Sequence, residues 1–212
     1  MGASMNSSAA KNRGTPRRRM TVEKRREQIM DAARDIANAE GFHAVTLDRV
    51  AEACGITRTL IYQQFGNLSG LLVAMVDREY TRAARDFAEA AKRPPRKGQS
   101  RYGAGVAGVL EAVDASPATW RMLLMPSHGG PPELYERLEQ ARDLTQEYLA
   151  TALREAGVNS SNFANPDPEL AVRMLLAVSQ ELVHLRLTKP RVYTIDRLVA
   201  QAERLIEVMF PH

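Results

Sequence analysis

The chain is poor in several things that would commit it to common functions. It holds one cysteine (Cys54), one tryptophan and only 6% aromatic residues in 212. One thiol excludes an internal disulfide framework and any multi-cysteine metal site. It also reads more naturally as a small buried hydrophobe than as a redox sensor. No run approaches the ~18 consecutive apolar residues of a membrane span. No segment alternates apolar and polar residues as a half-buried strand does. The first residues lack the apolar stretch of a secretory signal. Asn6 stands where N-myristoylation wants Ser or Thr. A twin-arginine export reading of Arg17, Arg18 and Arg19 fails because polar Thr21 and residues 23–26 follow. The expectation is a cytoplasmic protein, all-α, with no membrane partner.

Charge is unevenly spread. Residues 1–66 carry eleven basic and seven acidic side chains, and the remaining residues balance at eighteen of each. The whole excess of +4 therefore lies in the first third. Such asymmetry points to a polyanion as the partner of that third alone.

Residues 1–20 are rich in Ser, Ala, Lys and Arg without apolar periodicity, the composition of a disordered basic arm. Thr21 can cap a first helix to about Ala39, with Ile29, Ala32, Ala33, Ile36 and Ala37 at helical spacing and Gly41 as its stop. Thr46 and Thr57 can cap two short helices joined at Gly55. Asn67 can cap a long fourth helix whose stripe runs through Leu71, Leu72, Met75, Val76, Tyr80, Ala83 and Phe87. Further helices are expected over about 100–113, 117–125, 132–153, 168–187 and 194–210, with a polar connector at 159–168. The eighth is apolar nearly all round and must be covered on two sides.

The stretch Thr46 to Phe65 has the form of a helix-turn-helix. A recognition helix needs an apolar back face and hydrogen-bonding side chains near its N-terminal end. Ile56, Leu60 or Ile61, and Phe65 supply the first; Thr57, Arg58, Thr59, Tyr62 and Gln63 supply the second, with Thr46 at the start of the preceding helix. Arg58 could pair bidentately with guanine, Gln63 could meet adenine, and the threonines could touch phosphate or a thymine methyl. Arg17, Arg18 and Arg19, with Lys24, Arg25 and Arg26, could follow phosphates or enter the minor groove. The plainer reading is an ordinary αα-hairpin with a solvated tail, and it leaves the charge asymmetry unexplained.

Thr46, Val50-Ala51, Ala53, Gly55-Ile56-Thr57 and Ile61-Tyr62 through Phe65 resemble the signature of the tetracycline-repressor (TetR) family of bacterial regulators. Helix one, with Ile29, Ala32, Ala33 and the Gly41-Phe42 stop, is similar as well. The resemblance covers roughly residues 24–76. It implies nine or so helices, a homodimer, an operator with inverted symmetry and usually a small-molecule inducer. Two positions depart from the pattern. Leu68 and Ser69 stand where the family commonly has a phosphate-holding Lys, and Leu60 where a small or polar residue is usual.

Two other motifs fail on context. Gly103 to Gly108 matches G-x-G-x-x-G, but no strand precedes it and no β-α-β unit follows. Glu181 and His184 have the E-x-x-H spacing of di-iron bundles, yet the only second copy, Glu40 to His43, straddles the Gly41 stop. No cofactor, metal or catalytic set is expected. Gln180 and His184 would line a pocket or cross a dimer interface. Pockets are mostly apolar with a few aimed polar groups. The best candidate lining is Trp120 with Met122, Leu123, Leu124, Met125 and the Gly-rich helix of Tyr102, joined by Phe87, Met174 and His184. The plainer reading is that these residues fill the core.

The sequence thus predicts an all-α chain. Its basic arm would span 1–20, a three-helix DNA-binding domain 21–66, and a ligand-binding and dimerisation bundle of about six helices 67–212. Its partners would be a double-stranded DNA operator, a small, largely apolar or aromatic effector, and a second copy held through the last two helices. The activity expected is ligand-released repression, without enzymatic function. The alternative from another class is an all-α enzyme or small-molecule-binding protein without sequence-specific DNA binding.

Overall fold

A computed structural model describes residues 20–126, 128–155 and 168–209. Within them nine α-helices and one short 3-10 turn account for the regular structure, and no strand occurs. The helices are α1 (Val22–Glu40), α2 (Leu47–Cys54), α3 (Arg58–Phe65), α4 (Leu68–Ala91) and α5 (Arg101–Ala115). They continue with α6 (Pro117–Leu124), α7 (Pro132–Glu155), α8 (Pro168–Thr188) and α9 (Ile195–Met209). Arg17, Arg18 and Arg19, and most of the connector expected at 159–168, lie outside the described residues.

The caps are where local chemistry requires them. Thr21, Thr46, Thr57, Asn67 and Ser100 each accept a hydrogen bond from the backbone N–H three residues on, satisfying one orphan donor of each helix. Between α2 and α3, Gly55 takes a left-handed conformation (φ 62°, ψ 41°) and the Ile56 N–H returns to the Ala51 carbonyl at 3.0 Å. This stop turns the chain within two residues, and a side chain at Gly55 would strain it.

Two apolar cores result. The first joins Ile29 and Ala33 of α1, Val50 and Cys54 of α2, Ile61 of α3 and Leu71 to Val76 of α4. It also takes in Met122 of α6 and Leu134 and Leu138 of α7. The second joins Ala83 of α4 to Leu110 of α5, Trp120 of α6, Leu182 of α8 and Leu198 of α9. Each fully buried large side chain is worth about 1.5–3 kcal/mol. Helix α4 runs through both cores. Helix α6 divides its faces between them, Met122 to the first and Trp120 to the second.

A charged group lies where the stripe of α4 predicted only apolar ones. Glu79 is fully buried and accepts from Arg78, Arg82 and Thr119 of α6, with Arg34 of α1 at 3.7 Å. A buried carboxylate persists only when paired and hydrogen-bonded in this way. It ties α1, α4 and α6 together at the junction of the two cores.

The three glycines of α5 differ. At Gly108 a Cβ would stand 2.5 Å from the Ala90 Cβ and 3.0 Å from its Cα, so this glycine lets α4 and α5 approach. At Gly103 it would collide with the Glu203 carboxylate, which accepts from the Ser100 N–H. At Gly105 it would meet nothing within 4 Å. The motif is a helix-packing feature at two positions and open space at the third.

Helix α8 buries Leu175, Leu176, Leu182, Val183 and Leu187, while Leu170 and Met174 on its other side are about half exposed in the single chain. No helix among the described residues is long and apolar enough to cross a membrane.

Candidate nucleic-acid interface

The short helix α3 is held from behind. Ile61 is fully buried, and Ile56 and Phe65 pack against the same core. Periodicity left Leu60 and Ile61 both possible; Ile61 is the anchor. Arg26 of α1 secures the other end. Its guanidinium stacks 4.1 Å from the Phe65 ring centroid and donates to the Gln64 carbonyl at 2.8 Å, a cation placed at the negative end of the helix. Arg26, whose neighbours Lys24 and Arg25 continue the basic run, thus belongs to the packing of the domain.

With its back fixed, α3 presents a row to solvent. Thr57, Arg58, Thr59, Tyr62 and Gln63 are all exposed, as is Thr46 at the start of α2. Tyr62 is 61% exposed, an unusual cost for an aromatic with no contact of its own to make. Arg58 Nη1 donates to Asp48 Oδ2 at 3.1 Å, with both side chains mostly in solvent. Arg49 is less available, because it pairs with both Glu40 oxygens (2.6 and 2.9 Å) and the Ala44 carbonyl. Its hydrogen bond holds the Glu40 carboxyl below its ordinary range.

The start of α4 accounts for the departure at position 68. Leu68 packs against the first core. The Asn67 Oδ1 is taken by the Gly70 N–H at 2.7 Å, and the Ser69 hydroxyl donates to Glu133 Oε2 of α7 at 3.1 Å. The loop before α7 also rests on the 3-10 turn Phe42–Ala44. A Cβ at Gly129 would stand 2.6 Å from that of His43, and the Gly130 N–H donates to the Tyr135 hydroxyl at 3.0 Å. Asp48, Arg26 and Glu133 escaped the sequence reading because their roles depend on neighbours 10, 38 and 64 residues away.

Cys54 is buried, its Sγ 3.7 Å from the Gln28 carbonyl while the Gln28 amide donates to its own carbonyl. Burial pushes its thiol up, away from thiolate character.

The residues predicted to line a ligand site are divided. Trp120 is buried in the second core, with Tyr102 and Leu124 packed against it, whereas Met122 on the opposite face of α6 is buried in the first core and Leu123 packs against both. Tyr102 shares a hydrogen bond with Ser179 at 3.1 Å, and burial raises its phenol. Phe87 and His184 are half-buried, while Met125 and Met174 are exposed.

Residues 29–75 match the model of the bacterial regulatory proteins of the tetR family. Over 140 residues the chain is 31% identical to the HTH-type transcriptional regulator SrpR of Pseudomonas putida, covering 64% of this chain and 62% of that one. It therefore spans less than two thirds of that relative's length. Its fold is similar to the fatty acid degradation regulator FadR from Bacillus halodurans, with TM-score 0.68 and 19% identity over 86% of this chain and 94% of that one. It is also similar to the transcriptional regulator FadR from Bacillus subtilis, solved in complex with stearoyl-CoA, with TM-score 0.64 and 18% identity over 87% and 97%. The helix-turn-helix segment thus matches the tetR family of bacterial regulatory proteins over residues 29–75, and the nine helices of the described residues have the fold of these solved regulators.

Proposed function

We propose that this protein is a ligand-responsive DNA-binding transcriptional regulator, a repressor that holds an inverted-repeat operator as a homodimer. The observation that carries the reading is the exposed row Thr57, Arg58, Thr59, Tyr62 and Gln63 on a helix locked from behind by Ile61 and Arg26. Such a row reads base edges in the major groove, with Arg58 as its strongest discriminator. The exposed apolar residues Leu170 and Met174 of α8 would be covered by a second copy, through α8 and α9. Two reading helices would then stand about 34–36 Å, one DNA turn, apart.

The effector is small and largely apolar or aromatic, bound in the second core. Helix α6 supplies the route from effector to DNA. Trp120 faces the effector core and Met122 the DNA-reading core, two residues apart on one rigid element. A ligand that shifts α6 favours dimers whose reading helices no longer match the operator.

The test is fluorescence anisotropy with a duplex from upstream of the protein's own gene and a scrambled duplex of equal length. The expected result is tighter binding to the first, with a steep loss between about 50 and 200 mM salt. Arg58→Ala is expected to erase most of the preference. Equal affinity for the two duplexes, or a preference untouched by Arg58→Ala, refutes the assignment of α3. A monomer at micromolar concentration refutes the role of α8 and α9.

A further inference from the structure

Trp120 is 8% exposed, and its indole Nε1 is buried without a hydrogen-bond partner among the described residues. An indole N–H is a donor only, and leaving it stranded is costly. Nearby polar groups are engaged elsewhere. Thr119 donates to Glu79, and Arg121 to the Leu187 carbonyl. The Tyr102 hydroxyl meets Ser179, whose own hydroxyl donates to the Leu175 carbonyl. A water at that atom would need further partners of its own, since buried waters commonly make about three hydrogen bonds.

Space lies on the adjoining helix. Tyr102, Gly105 and Val109 follow one another at helical spacing on one face of α5, and Tyr102 and Val109 pack against the Trp120 cluster. Between them a Cβ at Gly105 would meet nothing within 4 Å. The glycine thus keeps that face open at the cost of helix propensity.

On the reading of this core as the effector site, we propose that the effector presents a neutral carbonyl-type acceptor, on an apolar or aromatic body, to Trp120 Nε1. Neutrality follows from the charges. Arg34, Arg78 and Arg82 are paired with Asp31, Glu27 and Glu79, and Arg121 is exposed with its guanidinium at the Leu187 carbonyl, so the junction offers a buried carboxylate no buried, unpaired arginine. A stranded donor distinguishes ligands by that one atom, because a ligand without an acceptor leaves the N–H unmet.

The matched probes are butyrophenone and n-butylbenzene, which share one carbon skeleton and differ in that a carbonyl replaces the benzylic CH2, titrated calorimetrically into the full chain without DNA. Butyrophenone is expected to bind about tenfold tighter. Trp120 is the single tryptophan, so quenching of the intrinsic emission reports contact at this side chain. In Trp120→Phe the preference is expected to fall below about twofold while n-butylbenzene still binds. Equal affinity of the two probes in the native chain overturns the proposal without recourse to the variant. So does a preference that survives Trp120→Phe, or no binding of either probe at about 1 mM. The titrations contain no DNA, so failure of the DNA-binding reading would leave their outcome intact and appear only in the duplex experiment.

Discussion

Arg58 and Asp48 face each other across the turn between α2 and α3, the guanidinium donating to the carboxylate at 3.1 Å. Both are mostly exposed, so the pair adds little to stability. Its effect is on availability, since a duplex must draw Arg58 away from a carboxylate that also repels phosphate. Asp48→Asn is expected to tighten duplex binding by about three- to tenfold at low salt, with the gain shrinking as salt screens it. The loss of an acidic group from the first turn of α2 is expected to cost about 1 kcal/mol or less. Anisotropy at two salt concentrations and a urea midpoint check both halves. Weaker binding would mean that Asp48 positions Arg58 for its base.

The glycines of α5 predict opposite signs for the same substitution. Gly105→Ala meets no neighbour, so the helix gains about 0.5–1 kcal/mol and the melting temperature rises. Gly108→Ala drives its methyl against the Ala90 backbone, where overpacking costs about 1–3 kcal/mol. The propensity gain offsets only part of that, and the melting temperature falls. Two thermal melts decide it; equal shifts would mean that α4 and α5 are looser at Ala90 than their spacing implies.

What the sequence made legible is what short-range chemistry controls. Thr46, Gly55 and Thr57 announce the helix-turn-helix because capping and left-handed turns depend on residues within four positions. Ile61 could not be separated from Leu60 by spacing alone, since both sit near the same face of an eight-residue helix. Glu79 was invisible for a different reason. Its burial depends on Arg34, 45 residues earlier, and Thr119, 40 residues later. Leu68 looked like a missing anchor and is in place a packed side chain of the first core.

Cys54 gives a pH dependence with a definite sign. Burial raises its thiol in the folded chain, so the folded state favours the neutral form. That contribution is complete below the ordinary thiol range and is lost as pH rises through that range towards the raised folded value. The urea midpoint of the native chain is expected to fall between neutral and mildly alkaline pH, and to fall less in Cys54→Ala. A thiol reagent at neutral pH should modify the native chain far more slowly than the urea-unfolded one. Prompt modification of the native chain would show that Cys54 is more accessible than its packing against Gln28 indicates.

The Ser69–Glu133 contact bears on a second edge of the proposed DNA-binding surface. A helix N-terminus favours anions, yet at the start of α4 the side chains are already committed. Leu68 is packed inward, the Asn67 oxygen holds the Gly70 N–H, and the Ser69 hydroxyl holds the Glu133 carboxylate. On the proposed reading that carboxylate stands where it would repel a backbone phosphate approaching the start of α4, and it comes from α7, whose Leu134 and Leu138 are set in the first core. Glu133→Gln keeps an acceptor for Ser69 and removes the charge. Its duplex affinity is expected to rise about three- to tenfold near 50 mM salt and to converge on the native value near 200 mM. Ser69→Ala, which leaves the charge in place, is expected to change affinity little. If Glu133→Gln binds like the native chain at every salt concentration, the N-terminus of α4 lies away from the phosphates, and the duplex is held by α3 and the residues before α1 alone.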